Sequence, residues 1–315
     1  MTLPASPRSE QGFGVAYAGG AYLLWGVLPL YFLLLVPTGP WEVVAARVLF
    51  SFVFCVLLLT VMRGWRRIMA IIRQPRLLAW TALAGALIYV NWQVFLIGTL
   101  TGHVVETALG YFINPITTVL LGVFVLHERI RRLQWVAIGI AVCAVVAIIV
   151  GYGSFPWIAL SLTASFGIYG LIKKKIGPAV DAVSGLTLES FWLIPVAVVQ
   201  LIVVAQTTGI TFGTVSAWHT ALMLFAGVAT AVPLLLFAAG ARRINLTVIG
   251  MIQFMTPIMQ FLTGVLILHE PMPAERWIGF ILVWIAVGVF IVDLLLSTRS
   301  ARSLAHRYPP APPAP

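Results

Sequence analysis

The chain has 315 residues, 61% of them hydrophobic and only 9% charged, with a formal net charge of +10. An average soluble domain is about 45–50% apolar and about 25% charged, so a soluble enzyme, a secreted disulfide scaffold and a disordered chain are all excluded. What remains is an integral membrane protein that crosses the bilayer many times.

A helix crossing about 30 Å of hydrocarbon needs about 20 residues. In chain order the apolar runs between charged punctuation predict ten such spans, at 12–33, 41–62, 78–98, 104–126, 134–150, 156–172, 183–205, 219–240, 246–268 and 276–296. Ten-residue stretches of alternating polarity are absent, which argues against an outer-membrane barrel. Connections are too short for a soluble domain. The first apolar run is long and lacks a small-x-small site at its end, so no cleavable signal peptide is expected. The segment 1–11 precedes the first span, and the polar tail 297–315, ending in PPAPPAP, is expected to be disordered. Cys55 and Cys143 sit alone in different spans and read as small buried hydrophobes.

Basic residues sort by loop. Of nineteen Lys and Arg, all but Arg47 and Arg276 fall before the first span or after the second, fourth, sixth, eighth and tenth. By the positive-inside rule that places both termini in the cytoplasm.

The two halves repeat each other at an offset of 142 residues. Gly85 falls on Gly227, Phe95 on Phe237, Gly98 on Gly240, Phe112 on Phe254, Pro115 on Pro257 and Glu128 on Glu270. Five spans separate the copies, and five is odd, so one copy must be inverted. The expected fold is therefore an all-α integral membrane protein of ten transmembrane helices in two inverted five-helix repeats, 12–151 and 152–296. Such repeats place a substrate site near the midplane, where they meet.

Pro115 and Pro257 lie at corresponding places in spans four and nine. Proline cannot donate to the carbonyl four residues earlier, so the Tyr111 and Gln253 carbonyls lose their helix bonds and paired breaks are expected. In lipid such groups need protein partners or a wet cavity. Tyr111, Asn114, Gln253 and Thr256 supply polarity beside the breaks. With Trp25, Asn91 and Trp92, which lie deep in their spans, they make up the candidate substrate-binding set.

Three charges lie inside spans: Arg47, Glu106 and Glu189. Ionisable groups at such depth are functional by default, as gates, counter-ions or proton carriers. Arg47 and Glu189 enter from opposite faces and should not meet. Glu106 or Glu42 is the expected partner of Arg47, and Lys173 or Lys174 that of Glu189. An Arg47–Glu106 pair would close the outer side of the cavity, unless Arg47 is presented to an anionic substrate group. His103 and His219, at outer span ends, read as solvated interface residues. Trp41, Trp80, Trp157 and Trp218 read as belt anchors.

Other chemistries are dismissed. His127–Glu128 and His269–Glu270 lack the second His of a zinc-binding HExxH, no Cys/His cluster has metal spacing, and no Walker A loop is present. No cofactor, metal or nucleic acid is implied, and the chain is not read as an enzyme.

GVAYAGGAYLLWGVLPLYF at 14–32 and EVVAAR at 42–47, with ETALGYFINP at 106–115 and TAVPLLLFAAGARRI at 230–244, resemble the RarD branch of the EamA-type drug/metabolite transporters. The resemblance runs over 12–296. It implies a bacterial inner membrane and the export or exchange of a small metabolite or drug-like solute by alternating access without ATP hydrolysis. A proton is the candidate coupling ion. The competing reading is a lipid-binding or lipid-flipping protein of the same fold, which should show a lateral apolar opening where a solute carrier needs a polar cavity. Substrate identity and oligomeric state are not legible.

Overall fold

A computed structural model describes residues 7–126, 131–152, 155–241, 243–244 and 252–307. The His127–Glu128 pair, Arg129, Arg242, the start of the ninth predicted span and the Pro-rich end of the tail lie outside them. Every described element is a helix: α1 Pro7–Leu33, α2 Pro40–Val61, α3 Trp65–Ile72, α4 Pro75–Leu100, α5 Val104–Leu126, α6 Arg132–Tyr152, α7 Trp157–Ile176, α8 Ala182–Thr207, α9 Ala217–Ala241, α10 Met255–Leu262 and α11 Ala274–Arg307. A π-helical turn, Thr263–Ile267, extends α10. Among the described residues, six helical segments are long and apolar enough to cross a membrane: Gly12–Leu33, Pro40–Val61, Pro75–Leu100, Ala182–Thr207, Ala217–Phe237 and Ala274–Asp293. Shorter apolar helices run over Arg132–Ala147, Trp157–Lys173 and Met255–Ile267.

Local chemistry sets the ends. Pro40 and Pro75 stand in the first turns of α2 and α4, where a missing N–H costs nothing. Asp181 caps α8 by accepting the Ser184 N–H at 3.2 Å. Beyond α4 and α8 the chain turns at Gly102 and Gly209, whose φ of 73° and 82° suit a residue without Cβ.

Several expectations need correction. The connection after α2 is not a bare loop: α3 buries Ile68 and Ile71 and exposes Arg66 and Arg67. The segment 297–307 is helical, continuing α11 ahead of the first tail proline at 309. The paired breaks are not symmetric. α5 runs through Pro115, as a helix can when it bends locally, whereas the chain turns at Gln253–Phe254 and Pro257 falls in the first turn of α10. Cys55 is buried but Cys143 is exposed.

The chain divides into two units, Met1–Leu121 with Pro156–Pro271, and Gly122–Phe155 with Met272–Pro315. In the smaller, α6 packs along α11, and Arg131 Nη1 lies 3.0 Å from the buried Asp293 Oδ2. In the larger, packing repeats under an exchange of α1 with α7, α2 with α8, and α4 with α9. The α1–α9 contact then becomes α7–α4, the α2–α9 contact becomes α8–α4, and α2–α8 maps onto itself.

Glycines at matching positions make two of these crossings possible. A Cβ on Gly85 would lie 3.0 Å from the Glu189 carbonyl oxygen, so α4 meets the backbone of α8 there. At the matching position in the second half, a Cβ on Gly227 would run into the backbone of Phe50 and Ser51 in α2. Because the obstruction at Gly227 is main chain, it cannot rotate away. Gly227→Ala is therefore expected to cost about 1–3 kcal/mol and to lower the melting temperature of the detergent-solubilised protein. Gly288→Ala, where a Cβ meets open space, should leave melting close to wild type.

Candidate functional site

Inside the larger unit is a cavity of about 100 Å³, several times the 10–15 Å³ or so that one water needs. α1 contributes Tyr22, Trp25 and Leu28, and α2 contributes Arg47. Ile88, Asn91, Trp92 and Phe95 come from α4, and Tyr111 and Asn114 from α5. Phe166 of α7 and Thr230 and Leu234 of α9 close further walls. The turn before α10 and its first two turns supply Gln253, Thr256, Pro257 and Gln260.

The candidate binding residues Trp25, Asn91, Trp92, Tyr111, Asn114, Gln253, Thr256 and Pro257 thus share one cavity, whereas Pro115 does not line it. Tyr22, Phe95, Phe166, Thr230 and Gln260 were missed. Gln260 could have been found, because it follows Pro257 by three residues and so shares its helix face. Tyr22 stands in the same relation to Trp25.

Side-chain bonds hold the polar lining in place. The Tyr111 hydroxyl donates to Asn91 Oδ1 at 3.2 Å, and Asn91 Nδ2 donates to the Leu162 carbonyl and Ser165 Oγ, each at 3.2 Å. Thr256 Oγ1 donates to the Tyr22 carbonyl at 2.7 Å, and Gln260 Nε2 to that of Trp25 at 3.3 Å. These last two bonds tie α10 to α1. Tyr22 and Trp25 meet edge to face at 5.2 Å, and Tyr111 and Phe166 at 6.2 Å.

The three intramembrane charges have separate environments. Arg47, 3% exposed, pairs with neither Glu106 nor Glu42. Its Nε donates to Thr230 Oγ1 at 3.0 Å, and its guanidinium lies 4.6 Å from the Trp92 ring and 4.9 Å from the Phe32 ring. The expected carboxylates are drawn elsewhere by backbone donors. Glu106 Oε1 accepts the Ile158 N–H at 3.1 Å, at the start of α7. Glu42 accepts the N–H groups of Thr211 and Phe212 and the Thr211 hydroxyl at 2.8–3.1 Å. Glu189, fully buried, does meet Lys173, at 2.7 Å, and also accepts from the Tyr169 hydroxyl at 3.1 Å. Arg47 and Glu189 do not meet, as expected.

His219 is not a solvated interface residue. It is 4% exposed, and its Nε2 lies 2.8 Å from Thr38 Oγ1 and 3.1 Å from the Leu35 carbonyl. Glu270, unusable as half of a metal motif, instead holds the first N–H groups of α5, those of Val104 and Val105, at 2.6 and 3.0 Å.

Comparison with known proteins bears on what this cavity serves. Residues 12–150 match the EamA-like transporter family. Protein RarD of Streptomyces exfoliatus is 41% identical over 296 residues, covering 94% of this chain and 93% of that one. The chain belongs to the RarD branch of the EamA-like transporter family. An uncharacterized transporter of Vibrio cholerae is 37% identical over 290 residues, with 92% and 95% covered. A solved structure superposes with a TM-score of 0.57 at 13% identity, over 88% of this chain and 96% of its own, and speaks to the fold alone. A member of this family is a bacterial multi-pass membrane transporter acting on a small-molecule substrate.

In this transporter the buried Glu189 depends on Lys173. Lys173→Met removes the ammonium and strands the carboxylate, and should cost about 3 kcal/mol of stability. Adding Glu189→Gln should recover most of it, read as the coupling in a double-mutant cycle of thermal melts.

Proposed function

We propose that the chain exports or exchanges a small metabolite or drug-like solute across the bacterial inner membrane by alternating access, without hydrolysing ATP, and that the cavity is its substrate site. The observation that carries this reading is the origin of the lining. Tyr111 and Asn114 correspond to Gln253 and Thr256 at the 142-residue offset, and all four line the same cavity. A site built from matching segments of two repeats is what rocking of one repeat against the other requires. Support for ten spans in two inverted repeats, 12–151 and 152–296, comes from the exchange symmetry of the helix contacts and from the Gly85 and Gly227 crossings. The loop sorting of Lys and Arg supports cytoplasmic termini.

Within this reading Arg47 belongs to the substrate site, Glu189 with Lys173 and Tyr169 forms a closure away from it, and Glu106 latches the start of α7 to α5. A guanidinium and several amides in the lining favour a solute over a lipid tail, whose passage wants an apolar wall.

Two measurements test the proposal. A reporter active only outside the cytoplasm should stay silent when fused after Arg132 and respond when fused after Glu275. Equal behaviour would remove the inversion. Purified protein in proteoliposomes should exchange at least one member of a metabolite and drug panel above protein-free vesicles, and an imposed pH gradient should raise the flux if a proton is coupled. Gln253→Trp, which fills the cavity from a side chain that makes no side-chain hydrogen bond to the described residues, should lower that flux about tenfold or more without blocking insertion. Undiminished flux would place the substrate elsewhere.

A further inference from the structure

The cavity holds a cation with no anion. Arg47 carries five N–H donors. Its bond to Thr230 and its place between Trp92 and Phe32 fix the guanidinium plane, yet Nη1 is buried with no partner. No Asp or Glu is among the described lining residues. Glu42 and Glu189 are committed to the bonds given above, and Glu106 accepts from the start of α7. Stacking on two rings makes a poorly hydrated guanidinium tolerable when the cavity is empty. It does not satisfy the free donor, which a bound anion would.

A second orphan has the opposite sense. Gln260 is 2% exposed, and its Nε2 bond to the Trp25 carbonyl fixes the amide so that Oε1 is the free end. That oxygen is buried with no partner. Arg47 and Gln260 both line the cavity, so its wall holds one side chain with an unbonded charged donor and one with an unbonded neutral acceptor, beside aromatic rings that include Trp25, Phe95 and Phe166.

We propose that the solute is a small organic monocarboxylate with a hydroxyl or amino donor on an aromatic or apolar body. Its carboxylate binds Arg47 and its donor binds Gln260 Oε1. A single guanidinium argues for one negative charge, since a dianion such as a phosphate monoester would bring a second charge into low dielectric without a partner. This assignment rests on the cavity being the transport site.

The test uses the full-length protein in detergent and three probes of one shape: 3-phenyllactate, 3-phenyllactamide, which lacks the charge, and 3-phenylpropanoate, which lacks the hydroxyl. Ligands that bind the folded state raise the melting temperature. The expected order is 3-phenyllactate tightest, 3-phenylpropanoate about threefold weaker or more, and 3-phenyllactamide about tenfold weaker or more. Arg47→Gln should abolish the preference for acid over amide, while Gln260→Leu should abolish the preference for the hydroxyl and keep that for the acid. The wild-type order decides by itself if either variant fails to fold. Equal shifts by acid and amide, or no shift by any probe from a protein whose vesicles carry other solutes, would overturn the carboxylate assignment and leave the transporter reading standing. Absence of flux across the whole panel overturns that reading, and this assignment with it.

Discussion

A chain in hydrocarbon must satisfy its polar groups internally, and here carboxylates from distant segments do much of that work. A helix start leaves N–H groups without partners, and lipid offers none. Glu270 holds the first amides of α5, Glu106 reaches the start of α7, and Glu42 gathers the amides of the turn at Thr211 and Phe212 ahead of α9. Each contact joins segments at least 52 residues apart. Each also places negative charge against unpaired N–H groups, where it is favoured. The few acidic residues of this chain are thus largely structural.

That use of the carboxylates is what leaves Arg47 exposed to the cavity. At the 142-residue offset Arg47 corresponds to Glu189, and the two lie on α2 and α8, which pack together and exchange under the repeat. The equivalent places have opposite solutions. Glu189 is neutralised by Lys173 and Tyr169 from α7, whereas Arg47 has a hydroxyl, two aromatic faces and an unbonded nitrogen. Matching helix contacts and unmatched charges can coexist because backbone crossings depend on small residues, while each charge depends on one or two neighbours.

How much was legible in the sequence follows the same division. Apolar runs located the helices, because span length is set by the bilayer and the punctuation by charge. Tyr111 and Thr256 drew attention because the offset pairs their segments, and Asn91 and Trp92 because they lie deep in their spans; all four line the cavity. Partner choice was legible only in part: Lys173 was expected beside Glu189 and lies there, but Glu106 was expected to seek Arg47 by depth, and depth says nothing of which backbone amides begin the next helix. α3 was missed because eight residues with two buried isoleucines fall below the length at which helical periodicity can be told from a loop. Pro115 and Pro257 were matched in sequence, but a proline in the first turn of a helix and one inside it have different consequences.

The asymmetry at the prolines bears on how the cavity could open. α5 is continuous past Pro115, so Tyr111 and Asn114 are carried on one helix whose start is held by Glu270. Opposite them, the chain turns at Gln253–Phe254, and α10 is short and ends in a π-helical turn. Its ties to α1 are two side-chain bonds to carbonyls, from Thr256 and Gln260. A turn before α10 and a change of helical register after it leave that segment with a less regular backbone than α5, and local opening draws on the least constrained elements. In the proposed cycle the α10 side would therefore yield first. A solute bound between Arg47 and Gln260 would bridge the firmly packed α2 to the looser α10, so occupancy would be felt by the element that has to move.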